Sequence, residues 1–128
     1  MEKIGIIGSG TWGTAIAVLL VNNGHEVTLW SAIPAEIEEM AKTRTHKNLP
    51  GVTLPEGLVY TADLEKAMAD KDLLVMAVPS VFVRSTAQKM KPFCKDGQLI
   101  VDVAKGIEEN TLDTMTQIIK EELPMAET

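Results

Sequence analysis

The chain has 128 residues, 45% of them apolar and 23% charged, with a formal net charge of −6. That is one domain's worth of a globular composition. An acidic chain with no concentration of Lys and Arg argues against nucleic acid as a partner. No apolar run approaches the ~20 residues needed to span a bilayer, and Cys94 is the only cysteine, so neither an internal disulfide nor a Cys/His metal cluster is expected.

The chain begins with an apolar, β-branched run, Ile4, Ile6 and Ile7, which reads as a buried strand and leaves no room for a signal peptide. It runs directly into Gly8-Ser9-Gly10-Thr11-Trp12-Gly13, the spacing G-x-G-x-x-G. Each glycine has its own task there. Gly8 permits the tight turn, Gly10 lets a pyrophosphate approach the backbone, and Gly13 lets the following helix pack on the sheet. The amides at the helix start would then face the phosphates. The motif alone is weak. A strand before it, a helix after it and a second strand near Glu26 make it specific.

Thr11 to Asn23 reads as the first helix, with Trp12, Ala15, Ile16, Leu19 and Leu20 as its inward stripe and Gly24 as its stop. His25 lies in the turn and is given no chemistry. Val27–Trp30 reads as the second strand. Pro34 to about Lys42 reads as a helix with Ile37, Met40 and Ala41 inward and Glu36, Glu38 and Glu39 on a solvated face. Arg44 to Gly57 is a long loop rich in Pro and Gly. Leu58–Tyr60 is a short strand, and Thr61 or Asp63 caps a short helix.

Leu73–Val78 is a continuous apolar run, the signature of a central parallel strand. Pro79 stops it, and Ser80 is read as the cap of a helix carrying Phe82, Val83 and Met90 on its apolar face. Pro92 closes that helix. Leu99–Val103 is a further buried strand ending in Ala104-Lys105-Gly106. A last helix from about Thr111 to Glu122, capped by Asn110, turns Leu112, Met115, Ile118 and Ile119 inward, and the tail after Pro124 is expected to fray.

Strands alternating with helices imply an α/β fold, one doubly wound parallel sheet. The expected order is 3-2-1-4-5. Ligands in such sheets bind at the carboxyl ends of the strands where the winding reverses. Gly8–Gly13, Val78–Ser80 and Lys105-Gly106 converge there. Val78 and Pro79 would lie under a nicotinamide, and Lys105 is a cation placed to meet an anion. No Ser/His/Asp or Cys/His set is present at those ends. Hydride transfer needs none, because the cofactor carries that chemistry.

These segments also form an ordered set. Gly8 to Ala15, Asn23 to Val27 with Leu29-Trp30, Leu49-Pro50-Gly51, Ala77 to Ser80 with Arg84, and Lys105 to Glu108 together resemble the bacterial NAD(P)-dependent sn-glycerol-3-phosphate dehydrogenases. The resemblance covers nearly the whole chain. It implies that residues 1–128 are a Rossmann-type N-terminal dinucleotide-binding domain. It also implies that the all-helical C-terminal domain, with its catalytic lysine base and most contacts to dihydroxyacetone phosphate, is absent from this chain.

Carried over residue by residue, it makes Ser9, Thr11 and Trp12 cofactor contacts beside Gly8, Gly10 and Gly13. Thr11 stands where the family commonly has Ser. Ser31 and Ala32 fall at the adenosine ribose, where the family commonly has a basic residue or His. Lys105 matches a lysine near both cofactor and substrate, and no catalytic base falls within the chain. The implied activity is that of an oxidoreductase interconverting dihydroxyacetone phosphate and glycerol 3-phosphate with NADP or NAD, for phospholipid synthesis in the cytoplasm, with an oligomer possible. The cofactor domain of another reductase with a helical second domain, or a nucleotide-sensing module without catalysis, are the alternatives.

The second strand carries no acid at its end and none follows until Glu36. An NAD-selective enzyme usually places Asp or Glu there. With Ser31 able to donate to a phosphate and Arg44 on the next loop, the sequence predicts that NADPH is accepted at least as well as NADH.

Overall fold

A computed structural model describes residues 2–46, 49, 51–104 and 114–127. Strands β1 (Lys3–Ile7), β2 (Glu26–Trp30), β3 (Leu58–Thr61), β4 (Leu73–Met76) and β5 (Leu99–Asp102) alternate with helices α1 (Thr11–Asn22), α2 (Pro34–Thr43), α3 (Leu64–Met68) and α4 (Val83–Met90), and α5 (Met115–Glu122) follows. The strands form one parallel sheet in the order β3-β2-β1-β4-β5. That is the expected doubly wound topology, with the winding reversing between β1 and β4. Ile7 pairs with Trp30 on one side and Met76 on the other, Met76 pairs with Asp102 and Trp30 with Thr61, so all five strand ends finish level at one rim.

Both faces of the central strands are covered, which is why β1 and β4 are apolar over Ile4–Ile7 and Leu73–Met76. Ile4, Ile6, Val27, Leu29 and Val75 pack with Ala17 of α1 and Met40 of α2. Ile7, Leu74, Met76 and Ile100 pack on the other face with Ala67, Val83, Ala87, Met115, Ile118 and Ile119 of α3, α4 and α5.

The helix ends have local causes. After α1, Gly24 (φ 89°) lets its own amide reach the Val21 carbonyl at 3.0 Å and the His25 amide reach that of Leu20 at 3.1 Å, which closes the helix in a Schellman motif. Asp63 caps α3, accepting from the Glu65 amide at 2.9 Å. Thr114 and Gln117 form a reciprocal capping box at the start of α5. The expected cap Asn110 and the inward Leu112 lie outside the described residues.

Several side-chain expectations are corrected. Helix α1 buries Gly13, Thr14 and Ala17, while Trp12 is 73% and Leu19 59% exposed. The helix is apolar almost all round, so its sequence does not single out one face. What selects the face is size: only small residues let the helix approach the sheet this closely. Ala41 is exposed on α2. Phe82 is exposed and Ser80 caps nothing, because Ser80–Phe82 form a 3-10 turn closed by the Phe82 amide on the Pro79 carbonyl at 2.8 Å. The tail is not frayed: it lies along the outer edge of β5. Glu127 donates to the Gln98 carbonyl and accepts from the Ile100 amide, both at 2.8 Å, satisfying edge groups that would otherwise lack partners. Among the described residues, no helix is long and apolar enough to cross a membrane, and no group of His, Cys, Asp or Glu could hold a metal ion.

Candidate cofactor-binding site

The rim where β1 and β4 part carries a cleft of about 720 Å³. Its walls are the turn Gly10–Trp12, the segment Ala77–Ser80 and the segment Asp102–Ala104. Two of the three convergent segments therefore meet as the topology requires. The third stops short of its key residues: Lys105 and Gly106 lie outside the described residues, and the described chain reaches Ala104 on the cleft wall.

The glycine loop shows three different reasons for glycine. Gly8 has φ 125°, a conformation L side chains rarely adopt, and a Cβ there would sit 2.7 Å from the Val78 nitrogen. A Cβ on Gly13 would press into the Gly8 carbonyl oxygen and lie 3.2 Å from Ala77 Cβ. A Cβ on Gly10 would meet no protein atom within 4 Å. The protein's own packing thus gives no reason for a glycine at position 10, whereas a ligand lying on the backbone does. Gly10 is also the N-cap of α1 and offers no side-chain cap, and no acid occupies the first turn. The first amides of α1 and the positive end of its dipole are left facing the open cleft, which fits a pyrophosphate.

Thr11 and Trp12 are exposed on the cleft wall, and Val78 (buried) and Pro79 (exposed) form the wall opposite. Ser31 is buried at the end of β2. Its Oγ accepts from the Ile33 amide at 3.1 Å, closing the turn into α2, and its amide donates to the Thr61 carbonyl at 3.2 Å. Ala32 beside it is exposed. Arg84 does another job, tying α4 to α5 through Glu121 at 2.9 Å and Glu122 at 2.8 Å. His25 is structural: its Nδ1 accepts from the Glu2 amide at 3.0 Å.

Sequence reasoning missed three residues. Asp102 ends β5 on the cleft wall, its Oδ1 accepting from the Ala104 amide at 2.8 Å. Burial pushes its carboxyl up from the ordinary value, and the Ala104 bond partly opposes this. Glu36 and His46 hold Ser9. The Ser9 hydroxyl donates to Glu36 Oε1. The Ser9 carbonyl accepts from Thr14 Oγ1 at 3.0 Å and from His46 Nε2 at 2.9 Å. A carbonyl only accepts, so the proton of that contact is on Nε2. Ser9 itself is buried, and its polar groups fix the loop's shape. A signal for Glu36 exists in the sequence: it is the third residue of a helix that starts at the strand ends, and helical side chains lean back toward the N-terminus.

Residues 3–128 match the family described as NAD-dependent glycerol-3-phosphate dehydrogenase N-terminus. The chain belongs to that family. It is 54% identical over 123 residues to glycerol-3-phosphate dehydrogenase (NAD(P)+) 2 of Lactobacillus delbrueckii subsp. bulgaricus, an alignment covering 96% of this chain and 36% of the relative. It is 52% identical over 128 residues to the glycerol-3-phosphate dehydrogenase (NAD(P)+) of Agathobacter rectalis, covering 99% of this chain and 38% of the relative. Among solved structures, the glycerol-3-phosphate dehydrogenase of Coxiella burnetii superposes with a TM-score of 0.90 at 28% identity, over 98% of this chain and 38% of that one. The chain spans a little over a third of the length of the curated relatives it matches.

Proposed function

We propose that this chain is the cofactor-holding part of an NAD(P)-dependent glycerol-3-phosphate dehydrogenase. The whole protein would carry hydride between the nicotinamide dinucleotide and dihydroxyacetone phosphate, giving sn-glycerol 3-phosphate for phospholipid synthesis in the cytoplasm. One observation carries the reading: Gly10, a glycine that no protein contact demands, stands at the uncapped start of α1 on the wall of the 720 Å³ cleft at the strand ends.

The bound cofactor would supply the hydride; the chain's own residues bind and orient. Gly8–Gly13 cradle the pyrophosphate, with Ser9 as the braced corner and the amides of Thr11 and Trp12 as donors. Val78 and Pro79 fix where the nicotinamide end rests. Ser31 and Ala32 flank the adenosine ribose. Lys105, next in sequence to the cleft-lining Ala104, meets an anionic group of the cofactor or of the phosphorylated substrate, a charge-assisted contact roughly twice as strong as a neutral one. No described residue on this cleft forms a nucleophile–base set, so we assign proton transfer to the remaining length that the relatives carry. The domain division, 1–128 for cofactor and a helical domain beyond it, is part of this proposal.

The test is turnover. The protein at its relatives' full length should oxidise NADH or NADPH only when dihydroxyacetone phosphate is added, and the 128-residue chain should bind the cofactor without turnover, because it positions one reactant only. Oxidation driven equally by unphosphorylated ketones would remove the substrate assignment, and turnover by the 128-residue chain would remove the division of labour.

A further inference from the structure

We propose that Glu36 is the residue by which this chain distinguishes NAD from NADP, and that it favours the cofactor without the 2′-phosphate. The inference rests on the cofactor reading above and deepens it.

In a doubly wound nucleotide fold the adenosine ribose lies between the glycine loop and the end of the second strand. Here those two are joined directly, by the Gly8 amide on the Trp30 carbonyl at 3.0 Å. The strand end itself offers no charge: Ser31 is buried with its Oγ accepting from the Ile33 amide, and the Ala32 side chain has no polar atom. An acid nevertheless stands at the crevice. Glu36, from the first turn of α2, reaches back to accept the Ser9 hydroxyl. That bond fixes a half-buried carboxylate against the second residue of the glycine loop. A carboxylate has two oxygens and about four acceptor sites, so holding Ser9 leaves capacity for a ribose 2′-hydroxyl.

Carboxylates predominate among the described ionisable groups around it. A second cleft of about 350 Å³ opens beside this corner, and its ionisable lining among the described residues is Glu36, Glu39 and His46. Arg44, the cation that could have met a 2′-phosphate, is turned away. Its Nε donates to the Leu54 carbonyl at 3.0 Å and its Nη1 lies 3.6 Å from Glu56. A phosphate brought to this corner would meet a carboxylate with no described cation beside it. Like-charge juxtaposition of this kind is how binding sites reject a near-identical ligand. The proposal runs opposite to the expectation drawn from Ser31, Arg44 and the lack of an acid at the end of β2, that NADPH is accepted at least as well as NADH: here the repelling acid comes from α2 instead of from β2.

The experiment is calorimetric titration of NADH and NADPH into the chain, its Glu36→Gln variant and its Glu38→Gln variant. Gln at position 36 keeps an oxygen for the Ser9 hydroxyl and removes the charge. The unmutated chain should bind NADH about tenfold or more tightly than NADPH. Glu36→Gln should narrow that ratio by about tenfold, and Glu38→Gln, exposed on the same helix, should leave it unchanged. The proposal is overturned if the unmutated chain binds NADPH as tightly as NADH, a result that needs no variant to fold. It is equally overturned if the ratio survives Glu36→Gln. A folded chain that binds neither dinucleotide would instead overturn the cofactor reading on which the inference rests.

Discussion

His46 Nε2 stands 2.9 Å from the carbonyl oxygen of Ser9, 37 residues earlier in the chain. The contact joins the loop after α2 to the middle of the glycine loop, and His46 is buried while making it. With Thr14 on the same carbonyl and Glu36 on the Ser9 hydroxyl, the loop is held from three directions.

Replacing His46 by Ala removes one of these braces and leaves a cavity, while the Ser9 carbonyl keeps Thr14. His46→Ala should therefore cost about 1–3 kcal/mol in a urea unfolding series. It should also weaken dinucleotide binding, because a loop that must be ordered by its ligand binds it less well. An unchanged unfolding midpoint together with an unchanged dissociation constant would show that the brace is idle.

Two glycine substitutions should separate packing from ligand approach. Gly13→Ala forces a methyl against the Gly8 carbonyl, where backbone must move, so it should lose about 1–3 kcal/mol of stability. Gly10→Ala meets no protein atom. Its stability should change by no more than about 1 kcal/mol, the scale of an N-cap preference, while its affinity for NADH falls by an order of magnitude or more. Thermal melts and titrations on the same two samples decide this. If Gly10→Ala bound NADH normally, the pyrophosphate would not lie on that backbone.

Two aspartates should titrate on opposite sides of the ordinary carboxylate value. The Lys3 amide donates to Asp72 Oδ2 at 2.8 Å and holds that carboxyl below the ordinary value, with lesser help from nearby Lys95 and Lys3 charges. Its contribution to stability is present above the unfolded value and is lost as pH falls through the depressed folded value. Asp102 is shifted upward by burial, so the folded state holds that proton more tightly than the unfolded state does. Stability linked to Asp102 therefore declines as pH rises from the unfolded value through the raised folded one. Carboxyl NMR titration reads both directly. Asp102→Asn should flatten the decline above the ordinary value and leave the acid limb intact, and Asp72→Asn should do the opposite. The reverse order of the two midpoints would contradict the assigned environments.

What was legible in the sequence is what short-range pattern carries. The runs Ile4–Ile7 and Leu73–Met76 could only be strands covered on both sides, and alternation with helices left one parallel winding. The glycine spacing located the cleft because the three glycines sit together at the turn from β1 into α1, whatever each of them meets there. The face of α1 was not legible, since nearly every position on it is apolar and close approach of Gly13 and Ala17 decides the rotation. Nor were the partners of Ser9. Glu36 and His46 lie 27 and 37 residues away, and what brings them to the loop is the packing of α2 and of the chain after it. The same holds for Glu127, whose place beside β5 is set by an edge that no local pattern announces. Lys105, the residue on which the resemblance places most weight, lies outside the described residues, and its role stays a proposal.

The central claim is that the cleft between Gly10–Trp12 and Ala77–Ser80 takes a nicotinamide dinucleotide. The measurement that tests it most directly is an amide-resolved NMR titration of the chain with NADH. The account predicts saturable shifts at Ser9, Gly10, Thr11, Trp12 and Gly13 and at Val78 and Ser80, with the amides of Lys3 and Glu26 at the opposite end of the sheet unmoved. Shifts centred on that opposite end, or none in a folded chain at millimolar NADH, would contradict it.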